Sequence, residues 1–264
     1  MYDYHTHSLF SSDAKSPLEA IVEKGVELGL KEIAITDHYD PDFRNPVYNY
    51  SLDFDVYQHA LQDAERRYKS SINVVKGLEL GLQHGSTIKK CSKAAAGFPY
   101  DFILGAFHCA EGFDVYESAY YKGRSIEETY RAYYTYILQT LSVYKDYDVV
   151  AHINYIDRNS PCIPAFNTYA DIVAKIMSLL VSDGKGIEIN TASIRHGMDG
   201  LCTPTMDILE MYVNSGGEII TIGSDAHCAE HVGYAYDLAV EMLLHTGLKH
   251  IATFKNRKLH LIRL

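Results

Sequence analysis

The stretch "SPLEAIVEKGVELGLKEIAITDH", residues 16–38, contains the unit from which most of the chain is built. Ser16 and Pro17 read as an N-cap and a first helical residue. Leu18, Ile21, Val22, Val26 and Leu28 then recur at helical spacing. "EIAITDH" (32–38) follows as a short buried strand that ends in Thr36-Asp37-His38. A helix feeding an apolar strand is a statement about fold. A strand finishing in ionisable residues is a statement about chemistry.

The same alternation runs in both directions from this unit. "MYDYHTHSLF" (1–10) opens the chain with a strand, and a helix over 53–70 leads to "INVVKGLEL" (72–80). "FILGAFH" (102–108), the Tyr-rich helix "SIEETYRAYYTYILQTLSVY" (125–144) and "YDVVAHI" (147–153) come next. A helix over 168–182, "GIEIN" (186–190), a helix over 203–214, "EIITIGSDAH" (218–227) and a helix–strand pair ending in "KLHLIRL" complete the series. Roughly seven βα units predict an α/β protein with a parallel sheet covered on both faces. No Gly-rich dinucleotide loop follows the first strand, which disfavours an open doubly wound sheet. With 264 residues and no linker or shift of composition, the expectation is one domain, 1–264, closed into a barrel.

The balance of 24 Lys+Arg against 34 Asp+Glu, a formal charge of −10, argues against nucleic acid or an anionic membrane as a partner. Five cysteines (Cys91, Cys109, Cys162, Cys202, Cys228) form no C-x-x-C pair and read as reduced thiols. No apolar run reaches the roughly 18 residues of a membrane span, and no signal-peptide core is present. The expectation is a soluble cytoplasmic protein; oligomeric state is not legible.

Each strand finishes in polar chemistry. Asp3, His5 and His7 alternate on the first, so all three would share one face. The others offer Asp37 and His38, Glu79, His108, His152, Glu188 and Asn190, and Asp225 and His227. One such histidine is ordinary; seven strands ending this way is not, because strand ends of an α/β barrel converge on one face. The set is too large for one zinc ion and suits two or three divalent ions. Nitrogen and oxygen ligands without thiolate favour Zn, Mn or Fe. Cys109 and Cys228 each follow a candidate ligand, point the other way in a strand, and read as packing.

"DYHTHS", "ITDH", "GLE", the "FH" of 107–108, "AHI" and "SDAH", in that order, resemble the polymerase-and-histidinol-phosphatase (PHP) family. The resemblance implies a distorted (β/α)7 barrel with a trinuclear metal site. It implies that His5, His7, Glu79 and Asp225 hold one ion, that Glu79, His108 and His152 hold a second, and that Asp13, His38 and His227 hold a third. "GAFH" stands for the more usual "GSVH", and Asn154 occupies a position where many relatives have Asp. Length and the run "GLELG…YDFILGAFH" resemble the stand-alone histidinol-phosphate phosphatases within the family. The implied reaction is hydrolysis of L-histidinol phosphate in histidine biosynthesis, by attack of a metal-bridging hydroxide on phosphorus.

Phosphomonoester hydrolysis explains why such residues would be gathered, since multi-metal sites supply both a nucleophile and charge neutralisation. Arg158 and Arg195, read as loop residues at the rim, are candidates for binding phosphate oxygens. Asp225 and His227 are candidates for handling the leaving-group proton. His196 has no assigned role. Glu111, Asp114, Tyr116 and Tyr121 could face the alcohol half of the substrate, but a structural role is preferred for each, and for "YRAYYTYI". The alternatives are a phosphoesterase of the same family acting on another phosphomonoester, a nucleotide or phosphotyrosine, and a catalytically silent metal-binding domain.

Overall fold

A computed structural model describes residues 1–44, 50–198 and 202–264. In chain order the elements are β1 (Tyr2–Thr6), α1 (Leu18–Glu27), β2 (Glu32–Ile35), β3 (His38–Tyr39), α2 (Phe54–Tyr68), β4 (Asn73–Gly81) and α3 (Thr87–Ala96). Then come β5 (Phe102–Ala106), a small hairpin of β6 (Cys109–Ala110) and β7 (Phe113–Asp114), α4 (Ser118–Tyr121), α5 (Ile126–Val143), β8 (Val149–Val150) and α6 (Ala170–Ser182). The chain ends with β9 (Gly186–Asn190), α7 (Ala192–Arg195), α8 (Met206–Asn214), β10 (Ile220–Gly223), α9 (Tyr236–His245), β11 (His250–Lys255) and β12 (Lys258–Arg263).

Parallel pairing runs β1-β2-β4-β5-β8-β9-β10. The first and last of these strands then meet: Asp225 N–H donates to the His5 carbonyl at 2.7 Å and His7 N–H to the Ala226 carbonyl at 2.8 Å. The result is a nearly closed barrel of seven parallel strands, the expected distorted (β/α)7 architecture. Its distortion is visible after β2, where the chain breaks at Thr36-Asp37 and resumes as β3, pairing His38 with Glu79 of β4. Burial of every residue in β1, β5, β9 and β10 follows from helices outside and packed side chains inside.

Four local expectations are corrected. Pro17, not Ser16, is the N-cap of α1, because the Ser16 hydroxyl accepts from the Ala229 N–H at 3.0 Å. Val26 and Leu28 are exposed, leaving Leu18, Ile21 and Val22 as the buried stripe. α3 was not anticipated; its buried face consists of Thr87, Cys91 and Ala94, too small to register as a periodic apolar signal. The final strand is instead an antiparallel hairpin, β11 with β12, whose turn residues Asn256 and Arg257 both have positive φ. That hairpin lies against the amino ends of β5 and β8. Arg257 Nε donates to Asp148, the Asn256 N–H to Asp101 at 2.9 Å, and the Phe254 N–H to the Tyr4 hydroxyl at 2.9 Å. Among the described residues, no helix is long and apolar enough to cross a membrane.

Candidate metal centre

The carboxyl ends of the barrel strands form the floor of a cavity of about 400 Å³. Glu79, fully buried beneath that floor, is the carboxylate around which the imidazoles gather. Its Oε2 lies 3.3 Å from His5 Nε2, 3.5 Å from His7 Nε2 and 2.8 Å from His38 Nδ1; its Oε1 lies 3.5 Å from His108 Nε2 and 3.1 Å from His152 Nε2. Asp225 Oδ1 faces His5 and His7 at 3.8 and 3.4 Å, and Asp13 Oδ2 faces His227 and His38 at 3.3 and 3.9 Å. The residues singled out in the sequence as candidate ligands therefore share one cluster.

The donor set meets the spatial needs of a cation. Two ligand atoms about 2.0–2.1 Å from one tetrahedral ion lie about 3.3–3.4 Å apart, close to many of these separations. Four overlapping groups have ligand atoms within 4.8 Å of one another: His7, His38 and His227; His5, His7 and Asp225; His5, Glu79 and His152; and His38, Glu79 and His108. Nε2 of His5 and of His7 is buried without a hydrogen-bond partner, a costly arrangement in a protein interior unless something else uses the lone pair. Burial alone would push the Glu79 carboxyl up, but His38, His5 and His108 hold it well below the usual carboxylate range. Asp225 behaves alike: burial opposes ionisation, while His5, His7 and Arg158 hold its carboxyl well down. Burial, reinforced by His227 and His38, keeps the His7 imidazole well below its ordinary value. Against the effect of burial, the neighbouring carboxylates instead raise His5, His38 and His108. So many anionic oxygens packed against imidazoles form a donor set that fits divalent ions, which would take the place of those protons.

Backbone strain marks the same place. His152 and Asp225 adopt φ of 24° and 52°, conformations disfavoured for side-chain-bearing residues and concentrated at functional sites.

Around this cluster stand residues the sequence reading left without a role. Glu188 Oε1 lies 2.7 Å from His5 Nδ1, and Asp40 Oδ1 lies 2.7 Å from His108 Nδ1. The Ser11 hydroxyl donates to Asp37 at 2.7 Å, so towards His7 Nδ1, 3.2 Å away, it can only accept. "GIEIN" held the one available signal: Glu188 and Asn190 share the inward face of an otherwise apolar strand.

Other expectations change. Asp3 does not join His5 and His7; its carboxylate accepts from the Ser224 N–H and hydroxyl and from the Gly233 N–H. Arg158 is not on an open loop. It ends a 3-10 turn with its side chain only 4% exposed, donating to Asp225 Oδ2 at 3.1 Å, Asn190 Oδ1 at 2.8 Å and Ser193 Oγ at 3.2 Å. Arg195 is the last residue of α7; its Nη2 donates to the carbonyls of Ser224 and Asp225, and its Nη1 is buried without a partner. Both arginines, with Lys15, His196 and His231, line the cavity. Asp114 and Tyr116 also line it, Tyr116 stacked on Tyr155 at 4.8 Å, whereas Glu111 pairs with Arg124 and Tyr121 packs edge-on against Tyr120. Tyr130, Tyr133 and Tyr134 are buried, as packing requires.

Known proteins are similar to this chain over nearly its whole length. A protein from Clostridium acetobutylicum named "probable histidinol-phosphatase" is 31% identical over 254 residues, covering 94% of this chain and 95% of its own. A histidinol-phosphatase from Lactococcus lactis is 29% identical over 265 residues, covering 97% and 95%. Among solved structures, the histidinol phosphate phosphatase of Lactococcus lactis, complexed with zinc, L-histidinol and phosphate, superposes with a TM-score of 0.86 at 26% identity and covers 98% of both chains. Residues 3–192, which carry the cluster from its first histidine through β9, match the family described as PHP domain. That match spans well over half of the sequence, and the chain belongs to the PHP family.

Proposed function

We propose that this protein is a histidinol-phosphatase, which hydrolyses L-histidinol phosphate to L-histidinol and phosphate in histidine biosynthesis. One observation carries the reading. The ring and carboxylate cluster around Glu79 lies at the floor of a cavity rimmed by two arginines, in a chain aligned end to end with histidinol-phosphatases. His5, His7, Glu79 and Asp225 would hold one divalent ion, Glu79, His108 and His152 a second, and Asp13, His38 and His227 a third, with Glu79 common to the first two. Zinc is the metal in the Lactococcus lactis complex; manganese and iron suit the same donors. Divalent ions there would polarise phosphoryl oxygens, lower the pKa of water towards about 7 and offset the charge of an in-line transition state.

The chain's own residues supply the rest. Arg195 keeps Nη1 free of any protein partner and is the first choice for a phosphate oxygen. Arg158 stacks over Tyr155 at 5.2 Å and is tied to Asp225, so it fixes the wall against which the phosphate rests. Asp225 touches both the ring cluster and Arg158, and it and His227 are the candidates for carrying a proton from water to the leaving alcohol oxygen. His227, its Nδ1 3.1 Å from the Asp225 carbonyl oxygen, closes that edge of the cavity. The cavity volume of about 400 Å³ suits a small phosphate ester, and residues 1–264 are read as a single domain.

The test is phosphate release from L-histidinol phosphate beside a generic aryl phosphate, with and without chelator, for the parent chain and His108→Ala. Chelator-sensitive preference for histidinol phosphate, lost in His108→Ala with the fold retained, is the expected result. Equal or better turnover of the aryl phosphate would discard the substrate. Full activity of His108→Ala would discard the metal centre.

A further inference from the structure

We propose that Glu188 and Asp40 are positioning residues that set the tautomers of His5 and His108, an assignment that rests on the metal-centre reading above. A carboxylate can only accept a hydrogen bond. At 2.7 Å from Nδ1, each therefore fixes the proton on Nδ1 and leaves the Nε2 lone pair pointing at Glu79. Carboxylates behind metal-binding histidines fix ring orientation in this way and strengthen the donor nitrogen.

The barrel has made room for both carboxylates. A Cβ on Gly223 of β10 would lie 2.1 Å from Glu188 Oε1, and a Cβ on Gly81 of β4 would lie 1.8 Å from Asp40 Oδ1. Each carboxylate thus sits over a glycine that leaves no space for a larger residue.

The two positions differ in how firmly they are held. Glu188 Oε2 accepts from the His152 N–H and from Asn190 Nδ2, both at 3.0 Å. Two donors fix that site as an acceptor. In Glu188→Gln the amide oxygen must stay there, which turns the NH2 group towards His5 Nδ1. His5 then has to accept at Nδ1 and carry its proton on Nε2, the nitrogen that would bind the ion. Asp40 Oδ2 makes no hydrogen bond and meets His38 Nδ1 only at 3.5 Å. Asp40→Asn can therefore keep its oxygen on His108, and the preferred tautomer survives.

The experiment loads the parent, Glu188→Gln and Asp40→Asn chains with zinc and measures bound zinc per chain and its affinity by chelator competition at pH 7. Circular dichroism melts report the fold. Glu188→Gln is expected to lose at least tenfold in affinity at one site, on the scale of about 10–100-fold seen for such partners, and Asp40→Asn to lose less. Equal retention by Glu188→Gln, or a larger loss in Asp40→Asn, overturns the assignment. A parent chain that takes up no zinc overturns the metal centre itself. Should Glu188→Gln fail to fold, imidazole 15N spectra of the zinc-loaded parent decide: His5 and His108 protonated at Nδ1 support the proposal, and protonation at Nε2 overturns it.

Discussion

Asp157 shows how one buried residue couples the fold to pH. Its carboxylate accepts from the Tyr130 hydroxyl at 2.8 Å and from Asn154 Nδ2 at 2.7 Å, and burial pushes its carboxyl up from 3.8 to about 6. Between these values the folded chain holds a proton that the unfolded chain has released. The stabilisation is therefore present at low pH and lost as pH rises through about 6. A shift of about two units corresponds to about 3 kcal/mol. Asp157→Asn removes that titration, and the unpartnered Asn154 Oδ1 can receive the new amide. Urea unfolding from pH 4.5 to 7.5 should show the variant gaining about 2 kcal/mol on the parent as pH rises; parallel curves would refute the account. At this scale the ligand candidates were legible because strand ends expose them as breaks in apolar runs. Asp3 misled because alternation gives a face, not a depth, and position 3 lies beneath the cavity where Ser224 and Gly233 take its carboxylate. Asp40 carried no pattern at all: its partner lies 68 residues away.

Elements were legible in proportion to their side chains. α5 begins where Ser125 says it should, with a complete capping box: the Ser125 hydroxyl accepts from the Glu128 N–H at 3.1 Å, and the Glu128 carboxylate accepts from the Ser125 N–H at 2.8 Å. Ser125→Ala should cost about 1 kcal/mol in chemical denaturation while leaving turnover per folded molecule unchanged; no measurable loss would mean that packing of Tyr130, Tyr133 and Ile137 alone holds this end. α3 escaped notice because a face of Thr, Cys and Ala buries little apolar surface. The terminal hairpin escaped because its turn is Asn256-Arg257, without the glycine that usually marks two successive positive φ values. β8 shrinks to two residues since the backbone must bend sharply at His152 two positions later.

For the whole molecule, alternation of helix and strand was enough to anticipate the parallel barrel, and convergence of its strand ends was enough to anticipate where chemistry would gather. How the opposite end is closed was not, because it depends on charges far apart in sequence. There the β11–β12 hairpin places Arg257 on Asp148, and Lys255 with Lys76 on Asp101. Burial raises the Asp148 carboxyl and Arg257 opposes that rise. Arg257→Ala leaves a buried carboxylate short of its cation, and since Arg257 is partly exposed the expected loss is about 2 kcal/mol in urea unfolding, below the 3–5 kcal/mol of a fully buried pair. Metal content and turnover of the folded variant should match the parent; an unchanged unfolding midpoint would count against this role.

The seam between β1 and β10 has a consequence in time. His5 and His7 belong to the first strand of the barrel, and Asp225 and His227 directly follow β10, its last. Every contact across the seam spans more than 200 residues, the kind of pairing that forms late in folding. A growing chain that has not yet reached β10 thus carries His5 and His7 without Asp225 to complete their group. Uptake of an ion by that group would thereby wait for translation through β10, and an occupied group would mark a chain that has reached its last barrel strand.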